Sequence, residues 1–99
     1  MATLTLPQLV AGRELADAAV RRLGPVAGED VVVDARALVS GTPSFAAQLV
    51  RTALVDAEAG SLTLVGGPDD FRADARQAAE RLGAGDRLRL ASERLPAAS

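Results

Sequence analysis

The stretch Val31-Val32-Val33-Asp34, followed closely by Thr42-Pro43-Ser44-Phe45, decides the fold of this chain. Three consecutive β-branched residues indicate a strand that is buried on both faces, and such strands lie at the centre of parallel sheets. Thr42 is a good helix N-cap residue and Pro43 takes the favoured first helical position, so a helix is predicted to begin there. A buried strand followed by a helix is the unit from which parallel α/β sheets are built.

The same alternation of strands and helices continues on both sides of this stretch. The hydrophobic spacing predicts further strands over residues 3–6, 61–65 and 87–90, and further helices over residues 12–23 and 69–82. We therefore predict one soluble α/β domain with a mostly parallel four-stranded sheet and three helices in the order β-α-β-α-β-α-β. The domain is expected to span residues 1–91, and residues 92–99, which carry no packing pattern, are expected to be a disordered tail.

The composition excludes most catalytic chemistry. The 99-residue chain has no Cys and no His, and all 11 of its basic residues are Arg. The common general base, the thiolate nucleophile and the usual transition-metal ligands are therefore missing. Ser44 has neither a histidine nor a lysine to activate it as a nucleophile. We expect no enzymatic activity, no bound metal and no other cofactor.

Composition also limits the partners. A net charge of −2 and the absence of Trp and Tyr argue against nucleic-acid binding, which relies on positive charge and stacking side chains. The first residues have no basic start and no long apolar run, so neither a signal peptide nor a membrane span is predicted. The lack of cysteine fits a reducing compartment. We expect a cytoplasmic protein that binds neither nucleic acid nor a membrane.

Hydroxyl side chains cluster where the second helix begins. Ser40, Thr42 and Ser44 lie just beyond the carboxyl end of the central strand, the edge at which parallel α/β sheets usually bind ligands and partners. A phosphate on one of these hydroxyls would meet free backbone N–H groups and the positive end of the helix dipole. In the alternative interpretation Thr42 and Ser44 only cap the helix, because helix starts favour such residues.

Three other features that could suggest a site have structural explanations. Asp34 ends the central strand, but the acidic pair and the lysine of phosphate-accepting receiver domains are missing, so we expect it to accept hydrogen bonds and support the following loop. The glycine pair at residues 66–67 matches no phosphate-binding motif and predicts a tight turn. The carboxylates in the first turn of the third helix are favoured there by the helix dipole, and we expect them to face solvent.

Taken together, these segments resemble a STAS-like domain. The resemblance rests on the Val-Val-Val-Asp strand, on the helix start Thr42-Pro43-Ser44-Phe45-Ala46, and on the strand Leu62-Thr63-Leu64-Val65 with Gly66 after it. It covers approximately residues 29–90. STAS-like domains are related to anti-sigma-factor antagonists and to the cytosolic domains of sulfate transporters.

This resemblance implies a regulatory protein-interaction module that acts by partner switching, as anti-sigma-factor antagonists do. It implies docking through residues 40–48 onto a protein partner, an ATP-binding kinase that is itself the anti-sigma factor. The implied contact or modification residues are Ser40, Thr42, Ser44 and Gln48. The best-known members carry Asp-Ser-Ser/Thr-Gly at this helix start, and the serine that is phosphorylated in them aligns with Pro43. Only Ser44 or Thr42 is left to take its place.

Two other functions remain open from the sequence. The same helix N-terminus is suited to holding a small anion or a nucleotide, which would make the chain a sensing domain. The chain can also be a structural subunit whose domain forms a homo-oligomer.

Overall fold

The computed structural model describes residues 2–91 and contains the predicted strands and helices in the predicted order. In chain order the elements are β1 (Ala2–Thr5), β2 (Leu9–Val10), α1 (Arg13–Arg21), β3 (Asp30–Asp34), β4 (Ser40–Gly41), α2 (Pro43–Arg51), β5 (Ser61–Val65), α3 (Asp69–Arg81) and β6 (Leu88–Ala91). The predicted tail, residues 92–99, lies outside the described residues.

The main sheet has four strands in the order β1-β3-β5-β6, and every pairing in it is parallel. The central position predicted for the Val-Val-Val strand is confirmed, because Val31, Val32 and Val33 are each at most 4% exposed. Every residue of β5, the other central strand, is buried as well. The α/β fold class with a mostly parallel four-stranded sheet and three helices is therefore confirmed. Strands β2 and β4 form a separate two-stranded parallel sheet that was not predicted.

The three helices cover one face of the main sheet. Each helix connects a strand to its next neighbour, and always in the same direction across the sheet. Because such connections are right-handed, they place their helices on the same face. Helix α2 packs between α1 and α3. Since the strands are parallel, the helices also run parallel to one another.

The core lies between the helices and the sheet and is centred on the two phenylalanines. Phe45 of α2 and Phe71 of α3 are both buried, and their ring centroids are 6.2 Å apart with the planes inclined at 38°. Phe45 begins the apolar stripe of α2, which predicts that it belongs to the core, and its burial confirms this. Valine and leucine side chains from alternate positions of β3 and β5 complete the packing from the sheet side, as period-two alternation requires.

Two details of the helices differ from the sequence prediction. The hydrophobic spacing of α1 predicts an inner stripe that includes Leu15, Ala16 and Val20. Ala16 and Val20 are buried as predicted, but Leu15 is 50% exposed. Consecutive residues are separated by about 100° around a helix axis, so with Ala16 facing the core the side chain of Leu15 lies outside the buried stripe. Helix α2 continues as a π-helical turn over Thr52–Asp56, a feature that hydrophobic spacing does not reveal.

The last strand also differs in one respect. The strict alternation of residues 87–90 predicts an edge strand with its arginines facing water, but the guanidinium of Arg87 donates hydrogen bonds to the backbone carbonyls of Leu54 and Ala59. The arginine therefore fixes the end of the π-helical turn to the edge of the sheet. Arg89, the other arginine of this segment, is exposed as predicted.

The turn between β5 and α3 follows the prediction. Gly66 and Gly67 both have positive φ angles, 70° and 93°, which glycine adopts without steric cost.

None of the helices within residues 2–91 is long and apolar enough to cross a membrane.

Candidate functional site

The loop that carries the candidate hydroxyls is fixed by the small β2–β4 sheet. Leu9 pairs with Ser40, and Val10 pairs with Gly41. The backbone N–H groups of Val39 and Ser40 both donate to the carbonyl oxygen of Gln8, at N–O distances of 2.8 and 3.1 Å. The segment between β3 and α2 is therefore a hydrogen-bonded platform and not the plain connection that the sequence suggested. Two-residue strands have no periodic pattern, which is why they were not predicted.

The two faces of this small sheet have opposite characters. Val10 is buried, and a Cβ atom at its partner Gly41 would lie only 2.6 Å from Cδ1 of Phe71. This face therefore packs directly on the core, and glycine at residue 41 is what allows the close approach. Leu9 and Ser40 occupy the other face of the pair, and both are exposed.

Two large apolar side chains on or beside the β2–β4 sheet are exposed to solvent. Leu9 is 69% exposed and Val39 is 68% exposed, and they flank Ser40 across the pairing and along the chain. Neither was singled out from the sequence, because an isolated apolar residue in a segment without periodicity carries no signal of its own. Single exposed apolar residues are common on protein surfaces, but here a matched pair borders the predicted site.

Thr42 joins the starts of two helices. Its Oγ1 accepts hydrogen bonds from the backbone N–H of Phe45 at 3.2 Å and from that of Gly12 at 3.4 Å, and it lies 3.2 Å from Oγ of Ser44. The predicted N-cap role of Thr42 is confirmed by the first of these bonds. The second ties the start of α1 to the start of α2, so the position of the hydroxyl loop, residues 40–44, is set by both helices.

This capping leaves little room for an anion at the start of α2. Pro43 has no N–H group, and the N–H of Phe45 is already bound to Thr42. Among the first three residues of the helix, only Ser44 keeps an N–H without a partner within residues 2–91. Anion sites at helix starts depend on several free N–H groups together. Most of the N–H groups that an anion would need at the start of α2 are therefore missing or already bound within the protein.

Gln48 takes part in a chain of hydrogen bonds between helices. Its amide nitrogen donates to Oγ1 of Thr52 at 2.9 Å, and that hydroxyl donates to Oδ1 of Asp17 at 3.1 Å. Oδ2 of Asp17 pairs with Nε of Arg21 at 2.6 Å, and this hydrogen bond is the main reason why the pKa of Asp17 is lowered. Gln48 lies one turn after Ser44 on α2, but its amide is held in this network and not in the hydroxyl loop.

Asp34 supports the loop after β3 in the way the sequence suggested. Its carboxylate accepts hydrogen bonds from Nε and from Nη2 of Arg36, both at 2.9 Å, and from the backbone N–H of Arg36 at 3.1 Å. The Arg36 side chain is the main cause of the lowered pKa of the Asp34 carboxyl. The backbone carbonyl of Asp34 also accepts from Leu6 N–H at 2.9 Å. The aspartate thus connects the ends of two neighbouring strands.

The structure therefore places three of the four candidate residues together. Ser40 in β4, Thr42 at the N-cap of α2 and Ser44 in its first turn follow one another closely along the chain, while Gln48 lies one turn further along α2 in the interhelical network. Within residues 2–91 no three carboxylates are grouped in a way that would hold a metal ion. This part of the surface has a hydrogen-bonded backbone, the exposed hydroxyl of Ser40 and the two exposed apolar side chains of Leu9 and Val39, which together suit contact with another molecule.

Comparison of the chain with protein-family models, with curated proteins and with solved structures found no match.

Proposed function

We propose that this chain is a regulatory protein-interaction module of the anti-sigma-factor antagonist kind. It docks onto a protein partner through a docking surface that consists of Leu9, Val39, Ser40 and Ser44. The partner that the STAS-like resemblance implies is an ATP-binding kinase that also acts as the anti-sigma factor.

The observation that carries the proposal is the exposure of Leu9 and Val39 on a rigid platform. Full burial of an aliphatic side chain of this size in an interface stabilises a complex by roughly 1.5–3 kcal/mol. Both side chains extend from backbone that is already hydrogen-bonded to Gln8 or paired with β4. Little conformational entropy is therefore lost when a partner covers them.

The hydroxyl groups provide the polar part of the same surface and the means of switching. Ser40 is exposed, and Ser44 is half-buried beside Thr42. A phosphate on Ser44 would be stabilised by the dipole of α2 within the free chain. In a complex, the same phosphate would have to be desolvated or matched by positive charge, so modification weakens docking without unfolding the module.

Protein docking is preferred over sensing of a small anion or nucleotide because of the cap. Thr42 and Pro43 already take up or remove the N–H groups that an anion would need at the start of α2. The exposed side chains of the docking surface itself are two apolar ones and the hydroxyl of Ser40, which are more typical of a protein contact than of a phosphate site.

The proposal is tested by capture of partners from the native cell with three baits. The parent chain, the double variant Leu9→Ser/Val39→Ser and the control Val55→Ser are immobilised in parallel. Val55 is also an exposed apolar residue, at 42%, but it lies in the π-helical turn beyond α2. We expect a kinase-fold protein to be retained by the parent and the control and lost from the double variant. Equal retention of every captured protein by all three baits would contradict the proposal.

A further inference from the structure

A groove of about 310 Å³ crosses the outer surface of α2 and touches all three helices. Its charged lining residues come from a different helix each: Arg13 from the first turn of α1, Arg51 from the end of α2, and Arg81 from the end of α3. Between them lies an apolar floor of Ala47, Ala78 and Leu82. Among residues 2–91, no acidic residue lines the groove.

The three guanidinium groups are not used inside the described part of the chain. Arg13, Arg51 and Arg81 are all exposed, and none of them forms a hydrogen bond or ion pair with a residue in the range 2–91. The carboxylate of Asp17 is linked through Thr52 to Gln48, which lines the groove, and its two oxygens already accept from Arg21 and Thr52. No ion pair within residues 2–91 therefore compensates the positive charge of the groove, although the chain as a whole has a net charge of −2.

We propose that this groove binds an acidic segment of polypeptide, in which carboxylate side chains alternate with apolar ones. Arginine pairs with carboxylates through two parallel N–H···O bonds, which gives both strength and orientation. The apolar floor accepts the small or aliphatic side chains between the acidic ones. The groove is separate from the docking surface, so the inference goes beyond the proposed function and does not depend on it.

The shape of the groove favours a segment over a single small anion. Neighbouring helices pack at interaxial distances of 8–10 Å, so the arginines of α1 and α3 come from helices that are roughly 16–20 Å apart. An extended chain advances by about 3.3 Å per residue, and five or six residues therefore span this distance. In such a chain alternate side chains point the same way, which brings successive carboxylates to the arginines.

The test is a calorimetric titration of the purified chain at low salt with a capped peptide of alternating Glu and Leu, about eight residues long. We expect saturable binding with one peptide per chain, and a loss of affinity as salt is added. The triple variant Arg13→Gln/Arg51→Gln/Arg81→Gln should bind at least tenfold more weakly. The double variant Arg13→Gln/Arg51→Gln should lie between it and the parent. Melting curves check that each variant is folded.

The matched control separates the groove from general charge attraction. Arg22→Gln/Arg89→Gln removes two positive charges, as the double variant does, but from exposed residues outside the groove. We expect this control to keep the parent affinity within about twofold. Equal loss in the control and in the double variant, absence of binding, or tighter binding of a single-stranded oligonucleotide or of phosphatidylserine vesicles than of the peptide would overturn the inference.

Discussion

Gly41 is the residue on which the position of the docking surface depends most directly. A Cβ atom at this residue would lie 2.6 Å from one ring carbon of Phe71 and 3.0 Å from Cγ2 of Val10. The Phe71 ring is fully buried, so it can move away only by disturbing the core around it. Because overpacking of this kind distorts a core, we expect Gly41→Ala to lower the free energy of unfolding by about 1–3 kcal/mol.

Urea unfolding of Gly41→Ala and of Ser40→Ala measures this effect. Ser40 is the preceding residue of the same strand and is exposed, so its substitution should change the stability by no more than about 0.5 kcal/mol. If Gly41→Ala is as stable as the parent, the β2–β4 sheet does not pack against Phe71 in this way.

The pairing of Asp34 with Arg36 makes the stability of the protein depend on pH in the acidic range. The Arg36 side chain lowers the pKa of this carboxyl in the folded state, so the ionised form is favoured by folding. Its contribution to stability is fully present above the pKa of the unfolded chain, about 4, and is lost as the pH falls through the lower pKa of the folded state. We expect the stability of the parent to fall more steeply below about pH 4 than that of Asp34→Asn.

Denaturant unfolding at a series of acidic pH values provides the comparison. The control is Asp86→Asn, since Asp86 is exposed and pairs with no residue in the described part of the chain. The control should keep the acid dependence of the parent. If Asp34→Asn also keeps it, then Asp34 does not contribute through its pairing with Arg36.

Helix α2 contributes Phe45 to the core and Ser44 to the docking surface. Phe45 is 1% exposed and its ring packs against Phe71. Truncation of a buried aromatic ring usually costs about 3–5 kcal/mol, so Phe45→Ala should greatly destabilise the chain. Thermal melting of Phe45→Ala and of Val55→Ala, which changes an exposed residue, tests this. A melting temperature for Phe45→Ala close to that of Val55→Ala would be inconsistent with the packing of α2.

The first turn of α2 should tolerate negative charge. Ser44 is the second helical residue, and a carboxylate there is favoured by the helix dipole. We expect Ser44→Asp and Ser44→Glu to change the stability by no more than about 1 kcal/mol. Affinity for the partner should fall at least tenfold, about 1.4 kcal/mol, because the charge must be desolvated in the interface.

Titration of the purified partner against these variants, with melting curves beside it, gives the result. Ser44→Ala should fold and bind as the parent does, since it adds no charge. Parent-like affinity of the folded acidic variants would remove Ser44 from the docking surface. Unfolding of the acidic variants would show that the Ser44 side chain needs its partly buried position beside Thr42.

At the scale of elements, the sequence predicted what strong local patterns determine. The run of valines at 31–33 and the Thr42-Pro43 start of α2 act through sterics and capping, which need no distant partner. The β2–β4 pairing could not be predicted, because it joins residues 31 positions apart by only two residues from each strand. Leu9 and Val39 were therefore overlooked, although they now carry the functional proposal.

For the molecule as a whole, the topology follows from the order of elements. Strand and helix alternate, and right-handed connections that always step in one direction place α1, α2 and α3 side by side on one face. The exposed apolar pair and the hydroxyl loop lie where α2 begins, and the basic groove crosses the outer surface of the helices further along. Two different surfaces of one small domain are thus available to partners.

The central claim is that a protein partner covers Leu9 and Val39. Its most direct test is an isothermal titration of the identified partner against the parent, Leu9→Ser/Val39→Ser and the control Val55→Ser. Since each buried aliphatic side chain contributes roughly 1.5–3 kcal/mol, we predict a loss of more than tenfold in affinity for the double variant and parent-like affinity for the control. Equal affinity of the folded double variant and the parent would contradict the account.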